Sequence, residues 1–245
     1  MTDKQEIIVL DKKPGETPLE AIETYKLTHP ESKAVPMTYA GRLDPLASGV
    51  LLVLAGEARF AKEQYLNLDK EYEVEILLGV GTDTGDVLGL VKEVKNDFTE
   101  PSDWSKYLNS FVGKRLEEYP AYSSKTVGGK QLHTLARSGE LPETMPKKEI
   151  EIYNVEYLGE RGIDLTTLQS EVGEKIMSVT GDFRQAEVIA SWAEVTDTKF
   201  HLITVTVTCS SGAYMRNLSE KIGQGLGVPA LAFNIYRKRV GSFTI

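Results

Sequence analysis

Phe200-His201-Leu202-Ile203-Thr204-Val205-Thr206-Val207-Thr208-Cys209 is the clearest strand in the chain. Leu202, Thr204, Thr206 and Thr208 alternate with Ile203, Val205, Val207 and Cys209, the period-two pattern of extended backbone. Ser210-Ser211-Gly212 follows as a loop, then a helix near 215–226 and a last strand from about 235 to 243. A second alternating stretch lies upstream, with Tyr72, Val74, Ile76 and Leu78 on one face and Glu71, Glu73 and Glu75 on the other. That pattern predicts a half-buried strand. Shorter strands are read at 7–10, 90–94 and 150–158. Thr17-Pro18-Leu19-Glu20 opens a helix to about 27, with a capping box and proline at the first helical position. Further helices are read at 58–66, from 103 to a stop at Gly113, at 130–138 capped by Gly139, at 164–180 and at 184–194. Strands and helices interleave with hairpin-like spacing. The expected fold is α+β, a mixed, largely antiparallel central sheet with flanking helices.

The chain has 245 residues, 41% of them apolar and 26% charged, with a net charge of −8. This is enough apolar mass for a packed core, so disorder is excluded as the reading. One cysteine, Cys209, allows no internal disulfide. The first apolar run, Ile7 to Leu10, is too short for a signal-peptide core, and no apolar run reaches the roughly 18 residues of a membrane span. The expectation is a cytoplasmic protein. His29, His133, His201 and Cys209 are scattered without metal-ligand spacing, so no metal site is expected. Neither a P-loop, a GxGxxG nor a nucleophile elbow is present.

Acidity speaks against a nucleic-acid partner, because phosphate neutralisation supplies much of such affinity. The charge is unevenly spread, however. Residues 114–148 carry seven basic against four acidic groups, and 201–245 carry five against one. The remaining segments, 1–113 and 149–200, are strongly acidic. A solvated face would look the same.

Tyr39-Ala40-Gly41-Arg42-Leu43-Asp44-Pro45-Leu46-Ala47-Ser48-Gly49-Val50-Leu51 holds the residue best suited to chemistry. Pro45 pushes Asp44 out of the α region, and the apolar run from Val50 to Ala55 anchors the loop in the core. A carboxylate on such a loop can serve as nucleophile or base. An ordinary Asp-Pro turn accounts for the same residues. Thr82-Asp83-Thr84-Gly85-Asp86 reads as a turn and not as a calcium loop, being short of oxygen ligands.

The stretch around Asp44 resembles the catalytic motif of the TruB-type pseudouridine synthases, whose pattern is roughly G-H-x-G-x-L-D-P-x-A-[TS]-G-V-L. Four further blocks match in order: Lys70-Glu71-Tyr72 with Leu78-Gly79 and Thr82 to Asp86; Pro120-Ala121-Tyr122-Ser123 through Ala136-Arg137-Ser138-Gly139; Cys209 to Arg216; and Ile235 to Phe243. The match spans about 7–243. It implies the pseudouridine synthase fold and isomerisation of a uridine in structured RNA, in that family the T-arm of tRNA (position 55). Breaking the glycosidic bond, turning the uracil and rejoining it through C5 involves no redox change, so no cofactor is implied. By resemblance, Asp44 is the catalytic nucleophile, attacking either C1′ of the sugar or C6 of the base. Arg216 pairs with it and keeps it ionised. Tyr72 stacks on the flipped base, and Ile235 stands where the family has a leucine beneath that base. Lys70 and Tyr39 are further candidate substrate contacts. The segment about 114–148 corresponds to the family's RNA-gripping thumb, with Lys125, Lys130 and Arg137 as candidate phosphate contacts. Arg237, with Lys238 and Arg239, is expected on an RNA-facing edge.

Three departures stand out. Tyr39 replaces the family histidine five residues before the catalytic aspartate, although a tyrosine still stacks on bases. The family's thumb lysine falls on Thr126, one step from Lys125. About 159–200 is longer than the usual connection, has two helical stretches and includes Gly181-Asp182-Phe183-Arg184-Gln185; no role beyond packing beside the sheet is assigned to it. Many relatives continue into a small RNA-binding domain, so the expectation is one catalytic domain, 1–245, acting as a monomer without that module. The alternative function is a non-catalytic RNA-binding or RNA-folding factor of the same fold. The two basic segments then predict a positive cleft beside Asp44 and an acidic back.

Overall fold

The structure, a computed structural model, describes residues 6–245. The chain runs through β1 (Glu6–Lys12), α1 (Pro18–Thr28), β2 (Met37–Ala40), β3 (Ser48–Ala55), α2 (Lys62–Leu66) and β4 (Lys70–Leu78). There follow β5 (Val80–Thr82), β6 (Val91–Val94), α3 (Trp104–Asn109), β7 (Gly113–Glu118), β8 (Thr126–Val127), β9 (Lys130–Gln131) and α4 (Leu132–Ser138). The remainder is β10 (Lys147–Asp164), α5 (Leu165–Ser178), α6 (Gln185–Ala193), β11 (Lys199–Cys209), α7 (Met215–Gly225) and β12 (Ala230–Val240).

The alternating stretch 200–209 lies inside the main sheet, whose order is β1-β3-β12-β4-β11-β10-β7, with β2 also paired to β3. Val205 of β11 faces Val74 of β4 on one side and Tyr157 of β10 on the other. Pairing is antiparallel throughout this sheet except between β12 and β3, where Tyr236 meets Ser48 and Arg237 meets Gly49 in parallel register. The fold is therefore the expected mixed, largely antiparallel sheet with flanking helices.

Period two decides which residues bury. On β4 Tyr72, Val74, Ile76 and Leu78 pack under α7 and α3, against Leu218, Ile222 and Leu108. Leu77, on the opposite face, joins Leu202, Leu231 and Phe233 beneath α5 and α6, which contribute Leu168, Val172, Ile176, Val188 and Trp192. Side chains withdrawn from water as fully as Ile76 or Leu202 contribute about 2 kcal/mol each of transfer free energy. The α1 capping box forms as read: Thr17 Oγ1 accepts from Glu20 N at 3.2 Å, and Glu20 Oε2 from Thr17 N at 2.7 Å.

Several boundaries differ from the sequence reading. β10 runs to Asp164, not 158, because bulges between Ile152 and Asn154 and between Tyr157 and Gly159 reset its alternation. The stretch 159–200 is thus not wholly helical: it begins and ends in strand and holds α5 and α6 between. β12 begins at Ala230, since the apolar run ahead of Asn234 is strand rather than connection. The helix read at 58–66 is a 3-10 stretch over Gly56–Ala61 followed by the short α2.

Candidate active site

Asp44 lies in the loop between β2 and β3. Ala47 N donates to Asp44 O at 3.1 Å, so the Asp-Pro turn of the sequence reading is present. The loop is held from two sides by buried cations. Arg237, 1% exposed, donates from Nε to Val50 O (2.7 Å), from Nη2 to Gly41 O (2.9 Å) and from Nη1 to Arg42 O (3.4 Å). Lys12, wholly buried on β1, donates from Nζ to Lys13 O (3.0 Å), Pro45 O (2.9 Å) and Ala47 O (2.6 Å). Gly49 sits at φ +96° where β3 meets β12, and a Cβ there would stand 2.3 Å from Arg237 O. Only glycine fits this approach.

Arg216, in the first turn of α7 and 2% exposed, points its guanidinium at Asp44. Nε is 2.9 Å from Asp44 Oδ2 and 3.9 Å from Asp86 Oδ2. That Nε–H has no well-directed hydrogen bond, so its own contact with Asp44 is chiefly Coulombic, while Nη2 donates a long bond to Asp44 Oδ1 at 3.5 Å. Nη1 donates to Thr84 O (2.7 Å) and Nη2 to Tyr122 O (3.1 Å), which fix the plane of the guanidinium. Burial works against the charge on Arg216, yet the carboxylates of Asp44 and Asp86 outweigh it and hold its pKa above the ordinary value. Burial pushes the Asp86 carboxyl up, opposed by Arg216. The Asp44 side chain remains 31% exposed and opens into a cleft of about 780 Å³.

The cleft brings together most of the residues singled out in the sequence. Asp44, Tyr72, Arg216, Ile235, Lys70, Lys125, Arg137 and Arg237 all line it. Burial pushes the Tyr72 phenol up, against the opposing effect of Arg237. Two expected contacts stand elsewhere. Tyr39 packs with Ile8, Ala21, Ile22 and Val53, with Lys62 Nζ 5.5 Å from its ring centre, because its place on β2 turns it to the α1 side. Lys130 is exposed, ion-paired to Glu140 at 2.9 Å, and not among the residues that line the cleft.

The basic edge expected at 237–239 also needs correction. Arg237 is spent on backbone carbonyls of the Asp44 loop, and Lys238 and Arg239 both pair with Glu71. With Arg216 on Asp44 and Lys221 on Glu117, every cation of 201–245 has an internal partner. Lys70 is buried as well and donates to Leu66 O and Leu68 O. Among the described residues, the cleft cations without a carboxylate partner are Lys125, Lys148 and Arg42, together with Lys70 and Arg237, which are committed to carbonyls. The sequence reading passed over Lys12, Lys148, Tyr214 and Arg42. Lys12 was legible in principle, since its parity on β1 is that of Ile8 and Leu10.

Cys209 is buried, and burial lifts its thiol to about 12, which makes it a packing residue and not a nucleophile. Among the described residues no cluster of His, Cys, Asp and Glu has the arrangement to hold a metal ion, and no helix is long and apolar enough to cross a membrane.

The family model described as TruB family pseudouridylate synthase (N terminal domain) matches residues 31–176, which include Asp44, Tyr72 and the thumb segment. The chain belongs to this family. Curated relatives named tRNA pseudouridine synthase B include that of Bacillus subtilis, 34% identical over 215 residues, covering 87% of this chain and 59% of the relative. That of Bordetella avium is 30% identical over 242 residues, covering 98% of this chain and 82% of the relative, so the likeness extends through Arg216 and β12. The chain spans about three-fifths of the length of the first of these family members. Among solved structures, a chain of a Cbf5-Nop10-Gar1 complex superposes with a TM-score of 0.59 at 20% identity, covering 97% of this chain and 49% of the other. That likeness shows the shared fold.

Proposed function

We propose that this family member converts uridine to pseudouridine in structured RNA, with the T-arm of tRNA as substrate, acting as a cytoplasmic monomer with Asp44 as nucleophile. The observation that carries the proposal is the Asp44–Arg216 pair. One carboxylate is paired with a buried guanidinium at 2.9 Å and aimed by it, yet left open to a cleft with Tyr72 and Ile235 on its wall. A base inside a helical stack cannot reach that carboxylate, so the uridine must be flipped into the cleft. Asp44 then adds to C1′ or to C6, the bond from C1′ to N1 breaks, the uracil turns and C5 bonds to C1′; the bond to Asp44 breaks to return the free carboxylate, and the proton lost from C5 to a base is balanced by one gained at N1. Tyr72 and Ile235 supply the apolar faces between which the uracil can turn.

The electrostatics predict a weak dependence of binding on salt. With Lys125, Lys148 and Arg42 as the free cleft cations, log K for a T-arm hairpin against log salt should have a slope of about −2 to −3, given roughly 0.7–0.9 released counterion per phosphate contact. A flat titration contradicts RNA as the substrate. Binding with a normal slope but no isomerisation in any tRNA favours a non-catalytic RNA-binding role.

Lys12 predicts a pH signature with opposite signs in two measurements. Burial lowers its pKa to about 8, against the raising effects of Glu16 and Asp44. All three ammonium protons are used, and the neutral amine offers only two. Turnover should therefore fall as pH rises through about 8, as the Asp44 loop loses a tie. Between about 8 and 10.5 the folded protein has released a proton that the unfolded chain still holds, so unfolding takes up a proton. Stability relative to Lys12→Met should thus rise across that same window. Urea midpoints and kcat measured from pH 7 to 10 check both signs; a flat kcat contradicts the role given to Lys12.

A further inference from the structure

The stretch 178–185 of the added segment does more than pack beside the sheet. Arg184 precedes α6 at φ +59°, the single non-glycine residue with positive φ among those described. Its neighbours hold it there: Gln185 Nε2 donates to Gly181 O (2.7 Å) and Val179 O (3.2 Å), and Gln185 Oε1 accepts from Phe183 N (3.0 Å). A side chain kept in a costly backbone conformation by local bonds points to a purpose beyond chain reversal. Asp182, Phe183 and Arg184 all line the cleft that holds Asp44.

The Arg184 guanidinium meets Asp83 through two bonds, Nη1 to Oδ2 at 3.0 Å and Nη2 to Oδ1 at 3.3 Å, and lies 5.2 Å from the ring centre of Tyr122. Tyr122 OH donates to the same Asp83 Oδ2 at 3.1 Å. Asp83 thereby ties three parts together: the 82–86 loop, the thumb segment and the added segment. Two of these parts supply the carbonyls that orient Arg216, Thr84 O from the loop and Tyr122 O from the thumb. Two residues before Arg184, Asp182 O accepts from Arg137 Nη2 of α4 at 2.6 Å, a second tie to the thumb. At the other end of the turn, Thr180 bonds Glu20 of α1, and Ser178 O packs so closely on Gly15 that a Cβ there would stand 2.6 Å away. Gly15 N in turn donates to Pro45 O of the Asp44 loop.

We propose that Arg184 is a positioning residue for the Asp44–Arg216 pair, a latch by which the added segment docks the thumb through Asp83 and Tyr122. This rests on the proposed isomerase activity only for its kinetic readout. Bidentate planar geometry is what an arginine supplies and a lysine does not. Loss of the latch lets the Thr84 and Tyr122 carbonyls drift, and a misplacement of the order of 1 Å at a reacting pair costs about a hundredfold in rate.

The test compares wild type with Arg184→Ala, Arg184→Lys and Arg184→Gly. Single-turnover rates on a T-arm hairpin should fall about ten- to hundredfold in all three, with KM within about threefold, as expected when positioning and not uniform binding is lost. Arg184→Gly relieves the backbone, so it should melt no lower than Arg184→Ala while being equally slow. Asp83→Asn should be slow too, and should add little to Arg184→Ala in the double variant. Amide hydrogen exchange in 119–125 should quicken in Arg184→Ala, with 70–78 unchanged. Wild-type rates in Arg184→Ala and Arg184→Gly, or unchanged exchange in 119–125, overturn the proposal. If wild type forms no pseudouridine the isomerase reading fails, and exchange alone still decides the latch.

Discussion

Asp44→Asn is expected to lower pseudouridine formation by at least about a thousandfold, the scale on which loss of a lone nucleophile acts. The amide matches the carboxylate in shape but is a far weaker nucleophile and carries no charge for Arg216. The guanidinium, 2% exposed, is left with Asp86 at 3.9 Å and the carbonyls of Thr84 and Tyr122. Those partners keep the fold intact, and relief from the Asp44 charge lets the Asp86 carboxyl ionise more readily. RNA affinity should change little, because the free cations of the cleft are untouched. A variant that folds, binds a T-arm hairpin and fails to turn over separates chemistry from recognition. Activity within tenfold of wild type would remove Asp44 from the nucleophile's role.

Arg237→Met is expected to be the most destabilising of the substitutions considered. Its three hydrogen bonds satisfy the carbonyls of Val50, Gly41 and Arg42 at a place closed to water. Leaving two or three buried carbonyls unmet costs about 3–5 kcal/mol in total, at roughly 1–3 kcal/mol apiece. For a chain of this size that corresponds to a fall of about 10 °C in Tm. Turnover should fall in the fraction that stays folded, since the same carbonyls flank Asp44 on both sides. Arg237→Lys should recover little, because one ammonium on a single stem cannot replace three guanidinium contacts spread along the loop. Thermal melts with the urea midpoint of the same samples measure the effect. A loss under about 1 kcal/mol, the worth of one ordinary hydrogen bond, would mean that Lys12 alone holds the loop.

The contrast between Asp44 and Arg237 shows what was legible in the sequence. Asp44 stands out through its proline-bounded loop, while Tyr72 and Arg216 stand out only because the blocks around them resemble the family's motifs. The alternations at 71–78 and 200–209 mark two strands, β4 and β11, which the structure sets side by side. Arg237 looked like part of an exposed basic run. Bulges between Ala232 and Asn234 and between Arg237 and Arg239 shift the parity of β12, so Phe233 and Ile235 join different cores and Arg237 turns inward. No local pattern encodes a bulge of that kind. The charge sum misled for a related reason: cations of 201–245 are neutralised by Glu71, Glu117 and Asp44, from distant parts of the chain. The expected positive cleft shrinks accordingly to a few rim residues. Arg184 was invisible because its partners, Asp83 and Tyr122, lie about a hundred and about sixty residues before it in the chain and meet it only in the folded structure.

The most direct measurement incubates unmodified tRNA with wild type and with Asp44→Asn and maps pseudouridine chemically along every strand. A single new pseudouridine in the T-arm with wild type, absent with Asp44→Asn, is the expected result. No pseudouridine with wild type, or equal pseudouridine with both proteins, would contradict an isomerase built on Asp44.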